Sequence, residues 1–342
     1  MKKLRVLYIY AGKRTGTPGA DVPDTQFYGV NHLDGYGISA EYKEPNTALS
    51  RWLGFRGRHL MMYFFSSKYD VVFGSALLYQ LLFQKIFRRS TKFVLLNISI
   101  TRTLRANTGL KLRIITWLLR EVSMVVCLSR IQQEQLIEAM PDMRGKTAFV
   151  PLGTDAVFHK PIYAGRKEYI LSAGRDNGRD YKAVIEVARQ LPDEEFHIVC
   201  SPRNMIGIDH IPENVSVFFD LSLDEWYQKF KEARMLLLLT QGTKRTDGAD
   251  CSGQTALVDA MALGLPVVVT AHPYLSDYAT DTKEVLVVRP GDVEDICEKI
   301  HMLSDPAVRE LIAKQARNVV DERLTTAHMA RSLAGVFKEV SR

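Results

Sequence analysis

The stretch Cys251–Thr270, CSGQTALVDAMALGLPVVVT, decides the fold. It reads as a small polar loop, a short helix and a buried strand. Ser252 and Gly253 suit a helix N-terminus, and Ala256, Leu257, Ala260 and Met261 recur at helical spacing. Gly264 and Pro266 end the helix, and Val267–Val269 make a β-branched strand. A helix start of this kind presents free backbone N–H groups and a partial positive charge, which suits a phosphate. Asp259 breaks the apolar pattern beyond the first turn, where the helix dipole does little for a carboxylate. Its side chain is therefore expected to face a ligand or solvent.

Working outward, strands alternate with helical segments along the whole chain. In the first half the strands are expected at Arg5–Tyr10, Asp70–Gly74, Phe93–Ile98 and Val122–Leu128, with a short strand and turn at Ala148–Gly153. Asp155–Gly165 lacks periodicity and carries Pro161, so the linker is placed there. The pattern then restarts: strands at Tyr169–Ala173, Phe196–Cys200, Val215–Phe218, Met235–Thr240 and Glu284–Val288, and helices at Arg179–Gln190, Asp224–Ala233, Val293–Ser304, Pro306–Arg323 and from Thr326. The expected fold class is α/β: two Rossmann-like, doubly wound domains facing a central cleft, with ligands at the carboxyl ends of the strands. The expected boundaries are 1–158, 159–325, and a C-terminal helix over 326–342 that packs back on the first domain.

The chain has 342 residues, 46% hydrophobic and 25% charged, as ordinary soluble domains do. Cys127, Cys200, Cys251 and Cys297 are scattered, with neither metal-ligand spacing nor a disulfide framework, which points to a reducing, cytoplasmic setting. His32, His59 and His159 likewise show no metal-ligand spacing. No apolar run approaches the ~18 residues that span a bilayer. The net charge of +6 is unevenly spread: residues 1–160 hold 23 Lys and Arg against 11 Asp and Glu, and the remainder 22 against 28. From Arg51 to Arg130, 14 basic residues face only Asp70 and Glu121.

A second corner suited to phosphate lies in Ser172–Leu191, SAGRDNGRDYKAVIEVARQL. Strand, glycine, two arginines and helix follow one another, and the forks of Arg175 and Arg179 match phosphate oxygens. Taken alone, a solvated pair bridging Asp176 and Asp180 accounts for these arginines equally well.

Together the two corners resemble those of the glycosyltransferases of family 4, which have the two-domain GT-B fold. Val150–Asp155 (VPLGTD) resembles the family's V-P-x-G-x-D, Gly174–Arg175 its G-R corner, Asp259–Thr270 its E-A-M-A-x-G-x-P-V-V-x-T, and Glu284–Asp292 its closing strand. The match covers nearly all of the second half; the first half matches only in its α/β pattern. The resemblance implies retaining transfer of a sugar from a nucleotide-diphosphate sugar, which is a co-substrate, with no metal or other cofactor. Arg175 matches the first basic residue that holds the donor diphosphate. Arg179 takes the place of the second, usually Lys, with one residue fewer between. Asp259 matches the second acid of the family's E-x7-E motif, the one on the donor ribose. The position eight residues upstream is Cys251, not Glu, with Asp250 one residue further. Either Asp250 takes the sugar-facing role after a loop shift, or backbone groups near Ser252–Gln254 do. Asp277 aligns with a loop acid near the donor.

The catalytic candidates are thus Arg175, Arg179 and Asp250, and the donor-binding candidates Gly174, Ser252, Gly253, Gln254, Thr255, Asp259 and Asp277. The first glycine-rich loop, Gly12–Gly19 (GKRTGTPG), is neither a P-loop nor a dinucleotide fingerprint. Its place after the first strand makes Gly12 and Gly16 candidates for the first-domain loop. The family's first-domain His is absent, and Asn97–Arg102 (NISITR) stands in its place. By resemblance the donor phosphate itself takes the acceptor proton, so no protein nucleophile is named.

In the first half, Arg51–Phe65, Leu77–Phe93 and Arg102–Val122 interleave basic with bulky apolar residues, Trp52, Phe55 and Trp117 among them. This suits peripheral docking on an anionic membrane surface, with a glycan or lipid-linked acceptor in cell-envelope polysaccharide or glycolipid synthesis. Two other readings stand beside the enzyme. A non-catalytic sugar-nucleotide binder is motivated by Cys251 and Asp259. A basic nucleic-acid-binding protein is motivated by the first half, but nucleic acid is not the expected partner, since the phosphate corners lie in the acidic half.

Overall fold

A computed structural model describes residues 3–10, 22–43, 54–75, 77–163, 165, 167–241 and 251–342. Gly12, Gly16 and Asp250 lie outside them. The chain divides into two compact units, Met1–Pro151 with Thr326–Arg342, and Leu152–Thr325.

The first unit is a six-stranded parallel sheet of β1 (Leu4–Ile9), β2 (Ile38–Tyr42), β3 (Val71–Gly74), β4 (Lys92–Asn97), β5 (Met124–Cys127) and β6 (Thr147–Phe149), in the order β2-β1-β3-β4-β5-β6. Its helices are α1 (Gly54–Phe65), α2 (Leu78–Phe87), α3 (Ile100–Arg105), α4 (Gly109–Leu119) and α5 (Arg130–Ala139). β3 and β5 are buried along their whole length. That is why they read as continuous apolar runs, as parallel strands covered on both faces do. Val72, Phe93, Leu95, Val125 and Cys127 share a core with Leu81, Ile115, Leu118 and Leu136 from the helices.

The second unit repeats the scheme with β7 (Ile170–Ala173), β8 (Phe196–Cys200), β9 (Val215–Phe219), β10 (Met235–Leu238), β11 (Val267–Thr270) and β12 (Leu286–Val288). Their order, β9-β8-β7-β10-β11-β12, is that of a doubly wound dinucleotide-type sheet. The chain reverses direction across the sheet between β7 and β10, and a crevice opens at such a switch point. Its helices are α6 (Tyr181–Gln190), α7 (Leu223–Glu232), α8 (Gln254–Ala262), α9 (Val293–Met302) and α10 (Pro306–Arg323).

The boundary differs from the sequence expectation. Asp155–Gly165 looks like a linker, yet the chain divides at Pro151 and Leu152. The reason is a set of bonds from distant side chains. Arg317 of α10 donates to the carbonyls of Ala156 and His159, and the amide of Ile162 donates to the carbonyl of Leu263. Asp155 and His159 are consequently buried within the second unit.

The last helix, α11 (Thr326–Val340), belongs to the first unit. Gly29 admits it: at φ 71° and with no side chain, it lets the Thr326 carbonyl approach to where a Cβ would stand 2.7 Å away. Thr326 Oγ1 is 3.2 Å from His32 Nε2, and the Phe337 ring meets those of Phe73 at 5.5 Å and Tyr8 at 6.2 Å. Phe337 is fully buried, so Phe337→Ala is expected to destabilise the first unit by about 3–5 kcal/mol. Urea unfolding followed by near-ultraviolet circular dichroism measures this, and a loss below about 1 kcal/mol would mean that the helix is not integral to that unit.

Candidate functional site

The site lies in the second unit, where β7 and β10 end and α8 begins. Arg179 leaves the loop after β7 and pairs as an isolated bridge with Thr240 just past β10. The Asp180 amide donates to Leu239 O, Gln241 N to Gly178 O, and Gln241 Nε2 to Arg179 O. These bonds clamp the loop against β10 and turn the Arg179 side chain inward.

Arg179 is only 6% exposed. Its Nη2 donates to the Ala173 carbonyl at 2.6 Å, while Nε and Nη1 have no hydrogen-bond partner among the described residues. Gly174 makes room for it: a Cβ there would stand 2.6 Å from Cζ of Arg179 and closer still to Nε. Burial pushes the phenols of Tyr181 and Tyr274 above their ordinary value, and the neighbouring Arg179 charge opposes that rise in both. Two more buried polar side chains at this corner lack partners among the described residues: Gln254, 1% exposed, at both Nε2 and Oε1, and Thr240 at Oγ1. Buried polar groups are normally satisfied. A cluster of them around an arginine is an arrangement that a polar, anionic ligand would satisfy.

The loop before α8 is fixed to the same corner. Ser252 Oγ donates to Asp176 Oδ1 at 2.8 Å, and that oxygen also accepts the Gly178 amide. The Tyr274 hydroxyl donates to Ser252 O at 3.0 Å. Gly253 takes φ 89°, a left-handed conformation that favours glycine, and caps α8. The Gln254 amide donates to the Cys251 carbonyl at 3.1 Å, and the next first-turn amides of α8, at Thr255 and Ala256, have no intrahelical acceptor by helix geometry, so they offer the donors and partial charge that suit a phosphate.

The sequence candidates separate at this point. Gly174, Arg179, Ser252, Gly253 and Gln254 come together at the corner, with Thr255 exposed on the first turn of α8. Arg175 takes another direction: it is exposed, and its Nη2 donates to Leu221 O beyond β9. Asp180 caps α6 through the Ala183 amide, a role of its own apart from the surface bridge considered from sequence.

Asp259 is placed differently from expectation. It is 2% exposed. Its Oδ1 accepts from Thr154 Oγ1 at 2.6 Å and lies 3.5 Å from His159 Nε2, while Oδ2 accepts from the Tyr227 hydroxyl at 3.4 Å. The reason is that every α8 residue except Thr255 is buried, so a mid-helix carboxylate must be satisfied by the protein. Burial lowers the His159 pKa, which keeps this ring neutral beside Asp259. Asp277 is also buried and is held through its carbonyl, which accepts from Arg323 at 2.6 Å.

Nothing in the local sequence marks Thr240, Gln241 or Tyr274, because each acts through loops brought together only by the sheet. His272, in the same loop as Tyr274, is held by burial at about 4. The folded state therefore refuses a proton that the unfolded chain accepts near its ordinary value of 6.5. The stability this provides is complete above about 6.5 and is lost as pH falls toward about 4. Thermal unfolding between neutral and mildly acid pH should show a shallower acid slope in His272→Asn than in the parent; equal slopes would remove the assignment.

A cavity of about 720 Å³ adjoins the corner, lined by Arg179, Lys182, Arg203, Asn204, Gln241 and Pro290, among others. It is wide enough for a nucleotide-sized ligand.

Residues 175–335 match the family described as Glycosyl transferase-like. No curated protein sequence matches the chain. Among solved structures, HepE from Anabaena in complex with UDP-glucose aligns with a TM-score of 0.71 at 14% identity, covering 98% of this chain and 100% of that one. Sucrose-phosphate synthase from Thermosynechococcus elongatus aligns with a TM-score of 0.74 at 15% identity, covering 98% of each chain. TarM from S. aureus aligns with a TM-score of 0.62 at 14% identity, covering 82% of this chain and 58% of that one. The chain thus has the GT-B fold, and its residues 175–335 are similar to the Glycosyl transferase-like family.

Proposed function

We propose that the second unit holds the diphosphate of a nucleotide-diphosphate sugar at the Arg179 corner, and that the chain transfers the sugar with retention to a glycan or lipid-linked acceptor. The setting is cell-envelope polysaccharide or glycolipid synthesis on the cytoplasmic side. The observation that carries the reading is the buried Arg179 with Nε and Nη1 unpartnered among the described residues, together with the Gln254 side-chain amide, unpartnered among them as well. The structural neighbour HepE binds UDP-glucose and TarM binds UDP, which supports the same class of donor here.

The diphosphate gains charge as the glycosidic bond to the sugar breaks. Arg179 and the amides at the start of α8 are fixed before the reaction and stabilise that charge without reorganising. They supply the role a metal plays in other sites, so transfer is expected to survive chelator. Arg175, exposed and, among the described residues, bonded through its guanidinium only to the Leu221 carbonyl, exchanges that bond for the outer phosphate. Asp259 acts from behind α8 as a positioning residue, holding Thr154 and Tyr227.

The test is nucleoside diphosphate release from a panel of nucleotide sugars with glycan and lipid-linked acceptors, alongside donor binding by calorimetry. Acceptor-dependent release with the anomeric configuration kept is the expected result; inversion of configuration, or no donor binding at all, contradicts it. Cys251 at the position of the family's first acid favours a second reading, a sugar-nucleotide binder without transfer. Tight donor binding with no release under any acceptor would establish that reading instead.

A further inference from the structure

The first unit carries an exposed apolar face that its own fold leaves uncovered. On α4, Leu110, Ile114 and Trp117 share one side of the helix and are 73%, 48% and 41% exposed, opposite the buried Ile115, Leu118 and Leu119. On α2, Ile86 and Phe87 are exposed, and Phe87 meets the exposed Phe64 of α1 at 5.4 Å. Lys85 joins the two groups, lying over the Trp117 ring at 4.6 Å. Exposed apolar residues in this number on adjoining helices are unusual for a surface with no partner.

The rim of this face is cationic. Arg88, Lys111 and Arg113 have no carboxylate partner among the described residues. Arg89 covers the rings of Tyr63 and Phe64 at 4.9 and 4.8 Å. The nearby acids are already engaged, Glu121 with Lys85 and Asp142 with Arg120. Among the described residues, no helix is long and apolar enough to cross a membrane.

We infer that the face formed by the C-terminal ends of α1 and α2 and the outer side of α4 docks on an anionic lipid bilayer. Ile86, Phe87, Ile114 and Trp117 enter the interfacial region, and Arg88, Lys111 and Arg113 meet the headgroups. Apolar side chains ringed by unpaired cations complement a surface that offers hydrocarbon beneath negative charge. A second copy of this chain fits less well. A two-fold contact would set the same cations against one another across the apolar centre. A nucleic acid would leave the apolar centre without a partner. The inference does not depend on the donor site, which lies in the other unit.

The full chain is mixed at low salt with vesicles of phosphatidylcholine, with and without phosphatidylglycerol, and pelleted. Partitioning is expected only with phosphatidylglycerol, and Lys111→Ala with Arg113→Ala should weaken it roughly 30-fold. Ile86→Ser with Ile114→Ser should weaken it further while melting temperature and donor binding stay unchanged, since both side chains are exposed. Equal partitioning onto neutral vesicles, or none onto anionic ones, overturns the inference. So does self-association that the same variants abolish, or salt-sensitive duplex DNA binding in place of vesicle binding.

Discussion

Arg179→Met is expected to raise the melting temperature of the ligand-free protein while removing the stabilisation that nucleoside diphosphates confer on the parent. Both effects come from the same geometry. The Arg179 charge is buried, holds one carbonyl, and leaves Nε and Nη1 without a partner among the described residues. Replacing a buried, poorly compensated charge with an apolar side chain of similar length stabilises by about 1–4 kcal/mol in comparable cases. For a unit of this size, each kcal/mol is worth about 2–4 °C. With a diphosphate bound, Nε and Nη1 each donate a charge-assisted hydrogen bond of about 1.5–3 kcal/mol. Their loss weakens binding about a hundredfold or more. Differential scanning fluorimetry with and without UDP, followed by calorimetry, reads both. A Met variant that melts lower and binds as before would show Arg179 to be structural.

Gly174→Ala should damage the site almost as much with Arg179 still in place. The added methyl would overlap the guanidinium at Nε and Cζ. Arg179 is the far end of a flexible side chain, so it can yield, but only by leaving the position from which Nη2 meets the Ala173 carbonyl. The unit stays folded, and donor affinity falls at least about tenfold, one charged hydrogen bond's worth. Gly74 at the end of β3 provides the contrast. There the methyl would fall on the carbonyl of Ile9, a strand backbone that cannot move aside, and 3.0 Å from its carbon. Gly74→Ala is therefore expected to cost the first unit stability at the upper end of single substitutions, about 4 kcal/mol. Circular dichroism and donor calorimetry on the two variants separate the effects: Gly174→Ala folded and not binding, Gly74→Ala poorly folded. Full donor affinity in Gly174→Ala would mean that the guanidinium position is not used.

The repeating strand and helix pattern, and so the α/β class, was legible in the chain because parallel strands are buried on both faces. Phe196–Cys200 and Pro306–Arg323 are found with the bounds expected from their patterns. Most other elements lie within one or two residues of expectation. β2 (ISAEY) was not legible: its buried, exposed and intermediate residues alternate along an edge strand that is one-fifth Ser and one-fifth Glu. Asp155–Gly165 read as a linker because nothing local holds it, whereas Arg317 holds it from more than 150 residues away. At the site, glycine-and-helix chemistry announced the corner around Gly174, Arg179 and Gly253. What the sequence could not convey was depth. Arg175 and Arg179 look equivalent four residues apart, yet one lies on the surface and the other beneath Gly174. Asp259 looked odd enough to be a ligand-facing acid, and the packing around α8 turns it toward Thr154 and Tyr227 instead.

Whether the Arg179 corner is the diphosphate site is decided by a crystal structure of the protein with a bound nucleotide-diphosphate sugar. Phosphate oxygens are expected within hydrogen-bond distance of Arg179 Nε or Nη1 and of the Thr255 or Ala256 amide at the start of α8. A diphosphate seated elsewhere, for example against Lys182 and Arg203 with the Arg179 guanidinium still unpartnered, would contradict that assignment.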